Sequence, residues 1–458
     1  VKEILCFIVF SWVMYLPCIV PTVSAQTEAF HQVTLEKAIS IALEENRDIS
    51  VADEESRKAH YRIVEAASQG MPQVNGFWNA EKVLKPMVFV IQFPDSTGKL
   101  RKNRLQVGTD YTSSLGASLT QPLYVGGKVG TALQAAQTYQ KFSRENLNSI
   151  KQRVVTGVVQ AFYGVLLAKE IRKISYESLV QAEKHLENVR RRYDAGKATE
   201  YDLLRARVNV SNLKPGLIEA ENSITLSLLN LKEVMGIAPD SPLDITGTFS
   251  EPDTTLFEQA NKAVAFDNRP DLRASFLNID LYQKNMRIAR GDFLPIVTAG
   301  TTFQFAGNID ELKYNASDWT PYWVASVNLS FPIFSGLRNY SKFKQAKIDY
   351  LNAKTEYRRK RDRTEIEISE SVMNLRKALE KIESQKMNAE EAEKAFGLAE
   401  SLFSNGKATQ LEVLDAQLAR DVARNNMASA LYEGKIAEIM LKNSLGIIDI
   451  DHEKGTIR

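Results

Sequence analysis

The sequence predicts a mixed, mainly α-helical chain built from long coiled-coil helical hairpins and four β-strands, laid out as a two-fold internal repeat. Three observations predict it. First, Gly-Lys-Ala-Thr occurs twice, in RRYDAGKATEYDLLRAR (Arg191 to Arg207) and in SLFSNGKATQLEVLDAQ (Ser401 to Gln417), 210 residues apart. Second, the same offset carries LKEVMGI (Leu231 to Ile237) onto LKNSLGI (Leu441 to Ile447), and QPLYVGG (Gln121 to Gly127) onto FPIFSGL (Phe331 to Leu337). Third, the hydrophobic period switches from about 3.6 to about 2 and back in each half. Upstream the offset becomes 222 to 223, pairing ENRDI (Glu45 to Ile49) with DNRPDL (Asp267 to Leu272) and Pro72 with Pro295. The first half therefore holds about a dozen extra residues between Pro72 and Pro122. Several motifs at one offset mark a repeat of whole structural units. The expected division is an export segment at 1–25, a first repeat at 26–248 and a second at 249–458.

The opening segment, VKEILCFIVFSWVMYLPCIVPTVSA, has an apolar run from Ile4 to Val20 and ends in Val23-Ser24-Ala25, the small-residue pattern of a secretory cleavage site. A transmembrane anchor is the competing reading; Pro17, Pro21 and the small-residue end favour cleavage. Cys6 and Cys18 both fall here, which leaves the expected mature chain free of cysteine. Leu16-Pro17 before Cys18 is a poor match to a lipid-modification site. A cysteine-free exported chain fits a bacterial envelope protein. A formal net charge of +2 over 458 residues gives no field for nucleic acid. No later stretch reaches 18 consecutive apolar residues.

Residues 34 to 69 read as a helix, with Leu35, Ala38, Ile39 and Ala42 at helical spacing, Thr34 as N-cap and Pro72 beyond its end. Its counterpart runs from Thr255 to Arg290, stopped by Gly291 and Pro295. Two alternating segments follow in each half. In SSLGASLTQPLY, Leu115, Ala117 and Leu119 oppose Ser114, Gly116 and Ser118. In PIVTAGTTFQFAGN, Val297, Ala299, Thr301, Phe303 and Phe305 share a face, and in YWVASVNLSFP so do Trp323, Ala325, Val327, Leu329 and Phe331. VNGFWNA supplies the fourth segment. Alternation over about ten residues with terminal aromatics fits strands of a transmembrane barrel; a half-buried strand of a soluble sheet shows the same period. Four strands cannot close a barrel, so chains that span a membrane this way must pool them.

Long helices follow, from Lys128 to Tyr193 and from Arg338 to Phe403, with no proline in either. At ~1.5 Å per residue they reach about 100 Å. Leu179, Ala182, Leu186, Val189 and Tyr193, and in the second copy Ala392, Phe396, Ala399 and Phe403, form narrow coiled-coil seams. Gly-Lys-Ala-Thr is where each helix reverses: Gly196 and Gly406 suit the left-handed helix-ending position, and Thr199 and Thr409 cap the return. The return helices run from Glu200 to Gly236 and from Gln410 to Gly446. They are about half the outgoing length, the other half being supplied end to end by the helices at 34–69 and 255–290. Pro215 predicts a kink near Leu213.

The paired YDAGKATEYDLLRAR and FSNGKATQLEVLDAQ, with the strands and long helices around them, resemble the TolC-like outer-membrane efflux protein family over essentially the whole expected mature chain. The resemblance implies a homotrimer that pools four strands per chain into a twelve-stranded barrel in the outer-membrane lipid, continued by helices across the periplasm. It implies docking of a periplasmic adaptor (membrane fusion) protein on the tips, Gly196, Lys197, Ala198, Thr199, Gly406, Lys407, Ala408 and Thr409, and coupling to an inner-membrane pump or ABC exporter. It also implies an acidic periplasmic gate at Glu412 and Asp415, with Asp202 linking tip to tip. The alternative for these carboxylates is ordinary solvated helix-surface charge. The chain departs from the family where Ala408 and Phe403 stand in place of a basic and a hydroxyl-bearing partner, which makes Arg205 or Arg207 substitutes.

An enzyme is the rival class. The phosphate-loop reading of Gly-Lys fails because the required upstream glycine is Arg191 in one copy and Ser401 in the other. His31, His60, His185 and His452 are scattered, so no catalytic set, metal ligand cluster or cofactor site is indicated. A structural periplasmic coiled-coil or adaptor-type protein would explain the hairpins and export segment but not the four symmetric strands. The extra residues, LKPMVFVIQFPDSTGKLRKNR (Leu84 to Arg104), read as a longer external loop.

Overall fold

The computed structural model describes residues 30–85, 87–94, 98–309 and 319–450. The expected export segment, both cysteines and His452 lie outside them.

Thr34 caps the first helix, its hydroxyl accepting from Lys37 N. The single helix expected at 34–69 is two, α1 (Leu35–Glu45) and α2 (Arg47–Ser68), preceded by the short strand β1 (Phe30–Val33). Asn46 makes the break. Its Oδ1 accepts from Asp48 N (2.9 Å) and Ile49 N (3.3 Å), capping α2, while its Nδ2 donates to Val234 O at 2.8 Å.

β2 (Gln73–Lys82) leads into a two-stranded hairpin, β3 (Met87–Pro94) with β4 (Leu100–Val107), where an external loop was expected. β5 (Tyr111–Val125) then pairs antiparallel with β2. α3 (Lys128–Asp194) is 67 residues long and α4 (Glu200–Met235) is 36; α4 runs unbroken through Pro215. One window of α3 is apolar and long enough for a bilayer, but 61% of it is buried in the protein. That window holds Val158, Phe162 and Val165, which form a core with α1, the end of α4, β1 and the short β6 (Leu243–Ile245). β1 and β6 pair in parallel.

The helix expected over 255–290 is also divided, into α5 (Leu256–Gln259), α6 (Lys262–Asn268) and α7 (Pro270–Gly291). Pro270 opens α7, and Arg269 before it is held extended (φ −70°, ψ 115°), as a residue preceding proline must be. β7 (Ile296–Ile309), β8 (Trp319–Ser330), α8 (Arg338–Ser404) and α9 (Gln410–Leu445) complete the chain, and α8 and α9 match α3 and α4 residue for residue in length.

The repeated sequence motifs meet each other in space. Gly236, at φ +80°, ends α4 against the α1–α2 break: a Cβ there would lie 2.4 Å from Glu45 O. Gly446, at φ +71°, ends α9 against the α6–α7 break, 2.8 Å from Arg269 N by the same measure. ENRDI thus receives LKEVMGI, and DNRPDL receives LKNSLGI. Arg269 fastens the second junction, reaching Asp271 (3.0 and 2.9 Å), Glu367 (2.9 Å) and Ser444 O (3.4 Å). Each return helix is therefore continued end to end by α2 or α7.

Candidate functional site

Two features carry functional geometry. The first is the sheet. Its order is β2-β5-β7-β8, antiparallel throughout. Register places Trp78 opposite Leu115, Leu115 opposite Phe305, Ala117 opposite Phe303 and Phe303 opposite Trp323. One face is thus apolar across all four strands, and Trp78, Trp323, Val327 and Leu329 on it are exposed. Its neighbouring positions, Asn75, Ser118, Thr302 and Ser326, are polar. Among the described residues β2 and β8 each pair on one side only, which leaves two ladders of backbone N–H and C=O groups open. All four helix connections leave from one end of this sheet, and the β3–β4 hairpin leaves from the other.

The second feature is the pair of tips. Gly196 (φ +68°) and Gly406 (φ +70°) take the left-handed position. Lys197 N donates to Arg192 O (2.7 Å) and Gly196 N to Tyr193 O (2.9 Å), while Lys407 N and Gly406 N repeat this on Leu402 O and Phe403 O (2.8 and 3.0 Å). This is the Schellman ending, which satisfies the last carbonyls. Three residues on, Thr199 and Thr409 open the return helices with reciprocal capping boxes. Asp202 N donates to Thr199 Oγ1 (3.2 Å) and Thr199 N to Asp202 Oδ2 (3.0 Å); Glu412 N donates to Thr409 Oγ1 (3.3 Å) and Thr409 N to Glu412 Oε2 (2.6 Å). Backbone and hydroxyl donation from the threonines holds both carboxyls below their ordinary range. Asp202 and Glu412 thus have a structural task within the chain. Asp415 stands one turn beyond Glu412 and is exposed, as are Lys197 and Lys407; Ala198 and Ala408 are half-buried.

The tips are also tied to one another. Arg192 donates to Phe403 O (3.1 Å) and its guanidinium lies 4.7 Å from the Phe403 ring centroid. The His185 ring also meets that ring, tilted by 43° with centroids 5.1 Å apart. Gln410 donates to the backbone carbonyl of Asp202 (3.2 Å), and Val189, Leu203 and Ala206 pack beneath with Leu186 and Phe403. Within the chain the bridging base is Arg192, not Arg205 or Arg207. Sequence reading missed Arg192, His185 and Gln410. Arg192 ends a run of three arginines that reads as a solvated face, and only the departure at Phe403 hinted that a cation was needed there. His185 is 8% exposed, and its Nε2 has no hydrogen-bond partner among the described residues. Burial first, then Arg192, lowers its pKa. No group of His, Cys, Asp and Glu among the described residues is arranged to hold a metal.

Comparison with known proteins places this geometry. The family model for outer membrane efflux proteins matches residues 38–237 and 263–447. The outer membrane protein TolC of Vibrio cholerae is 22% identical over 339 residues, 73% of this chain and 77% of that protein. The cobalt-zinc-cadmium resistance protein CzcC of Cupriavidus metallidurans is 26% identical over 428 residues, 92% of this chain and 91% of that protein. Among solved structures, the CmeC outer membrane channel of Campylobacter jejuni superposes with a TM-score of 0.74 at 17% identity, covering 90% of this chain and 85% of that one.

Proposed function

The chain belongs to the outer membrane efflux protein family, and on that premise we propose that it is the exit duct of a tripartite efflux or type I secretion system. It resides in the outer membrane with its helical domain in the periplasm. Three copies pool their four-stranded sheets into a twelve-stranded barrel, and the α3, α4, α8 and α9 hairpins extend the passage about 100 Å toward the inner membrane. The duct is passive. A periplasmic adaptor docks on the Gly196–Thr199 and Gly406–Thr409 tips and couples it to an inner-membrane pump or ABC exporter. Its mouth is gated by Glu412 and Asp415, three residues apart on one helix face, with Asp202 at the tip-to-tip contact. Three chains would bring six such carboxylates near the axis, a ring that favours cations.

The observation that carries this reading is the sheet: one face largely apolar, the other largely polar, and both edges open among the described residues. In lipid an open edge leaves unsatisfied peptide groups at several kcal/mol each, so only closure by neighbouring copies makes the apolar face usable. A head-to-tail contact, β2 of one chain on β8 of the next, closes under three-fold rotation. Cysteine scanning tests it, since residues 30–450 contain no cysteine. One cysteine on β8, at Asn328, is combined in turn with cysteines at 73–79 on β2. Oxidation in cells should give dimers and trimers at one or two positions in register; monomer at every position would refute the closure.

A further inference from the structure

The β3–β4 hairpin has no part in the proposed duct. It carries the β2–β5 pair onward by eight residues a strand, roughly 26 Å, beyond bends at Leu84–Lys85 and Gly108–Asp110. It does so at the end of the sheet away from the helices, which is the outer surface of the cell if the helices are periplasmic. Both faces are open: on one, Met87 is 64% exposed, Phe89 50% and Phe93 58%, and on the other Val88 is 47% and Val90 56% exposed. A two-stranded hairpin with such residues in water is at best marginally stable, so a partner must cover it.

Charge identifies the partner. Between Val83 and Val107 there are five basic residues, Lys85, Lys99, Arg101, Lys102 and Arg104, against one acid, Asp95. These 25 residues carry a net charge of +4, where the whole chain carries +2. Three copies folded over the pore axis would concentrate three times that charge in one place, and insertion into a wet lumen would leave the apolar residues in water. A bilayer surface satisfies both, with apolar side chains at the acyl boundary and cations at the phosphates.

We propose that the β3–β4 hairpin lies on the outer surface of the membrane and binds phosphate-bearing headgroups of the outer-leaflet lipid. β3 contributes the apolar side chains Met87, Phe89 and Phe93, and Lys85, Lys102 and Arg104 contribute the charge. The proposal rests on the outward orientation argued above.

Native mass spectrometry of the detergent-solubilised full chain, titrated with diphosphoryl lipid A and separately with its dephosphorylated form, tests it. Tight binding should require the phosphates and weaken with salt. Lys102→Ser/Arg104→Ser should weaken it roughly 30-fold, about fivefold per charge, and Phe89→Ser/Phe93→Ser should weaken it independently, with single-channel conductance unchanged in both. Variants that bind lipid A as the parent does would overturn the proposal. So would variants that change conductance or subunit association while lipid binding stays intact, because the hairpin would then cover the pore or a neighbouring copy. If the parent binds lipid A through these residues yet never conducts, the hairpin assignment stands and the duct reading fails.

Discussion

Gly236→Ala should damage the protein far more than Gly196→Ala, although both glycines sit at positive φ (+80° and +68°). A side chain in the left-handed region costs about 1–2 kcal/mol. At Gly196 nothing lies within 4 Å of the new Cβ, so that conformational term is the whole expected effect. At Gly236 the Cβ would lie 2.4 Å from Glu45 O and 2.8 Å from Asn46 Cα. Both are backbone atoms, so the α1–α2 break must move. Moving it strains the partly buried bond from Asn46 Nδ2 to Val234 O, and losing such a bond costs a further ~1–3 kcal/mol. The sum is about 2–5 kcal/mol for Gly236→Ala against about 1–2 kcal/mol for Gly196→Ala. Thermal unfolding in detergent would read the difference, and hydrogen exchange would localise it, with protection lost at 42–50 and 230–236. Equal losses for the two variants, or exchange unchanged at Asn46, would refute the claim that the two motifs are locked by backbone-to-backbone contact.

Two further outcomes are expected at the tips. Arg192→Ala removes a charged donor from Phe403 O and a cation from its ring, together ~2–4 kcal/mol at most for a half-buried group; limited proteolysis should then cut faster within 404–408, and an unchanged cleavage pattern would show that Arg192 holds nothing. His185, buried against Phe403, has a pKa below its unfolded value, so the stability it permits is complete above about pH 6.5 and is lost as pH falls through the folded pKa. Tip proteolysis should accelerate between pH 7 and pH 5 in the parent, and His185→Phe should flatten that dependence; identical pH profiles would exclude His185 as its source.

Much of this architecture was legible in the sequence, because helical hairpins and alternating strands are periodic and their punctuation is local. Gly196, Thr199, Gly406 and Thr409 could be placed from chain chemistry alone: a left-handed residue ends a helix and a hydroxyl begins one. The missed features depend on partners distant in sequence. Asn46 reads as one more polar residue on a helix surface until Val234 O, 188 residues away, accepts from its amide. The break at Arg269 was signalled by Pro270, but the apolar spacing on both sides masked it. β3 shows no alternation because both its faces are apolar, so its pairing with the basic β4 left no periodic trace. At the tips the acidic pair could be named but not its use: Glu412 first satisfies Thr409 N, a task that any gate must share with it.

The measurement closest to the central claim is single-channel conductance of the purified chain in a planar bilayer, beside Glu412→Gln/Asp415→Asn. Glutamine can keep the capping box, so the variant removes charge without removing the turn. The duct with an acidic mouth predicts a small, cation-preferring conductance in the parent and loss of that preference in the variant at an unchanged melting temperature. Folded protein that yields no conductance would contradict the duct itself, and equal cation selectivity in parent and variant would contradict the acidic gate.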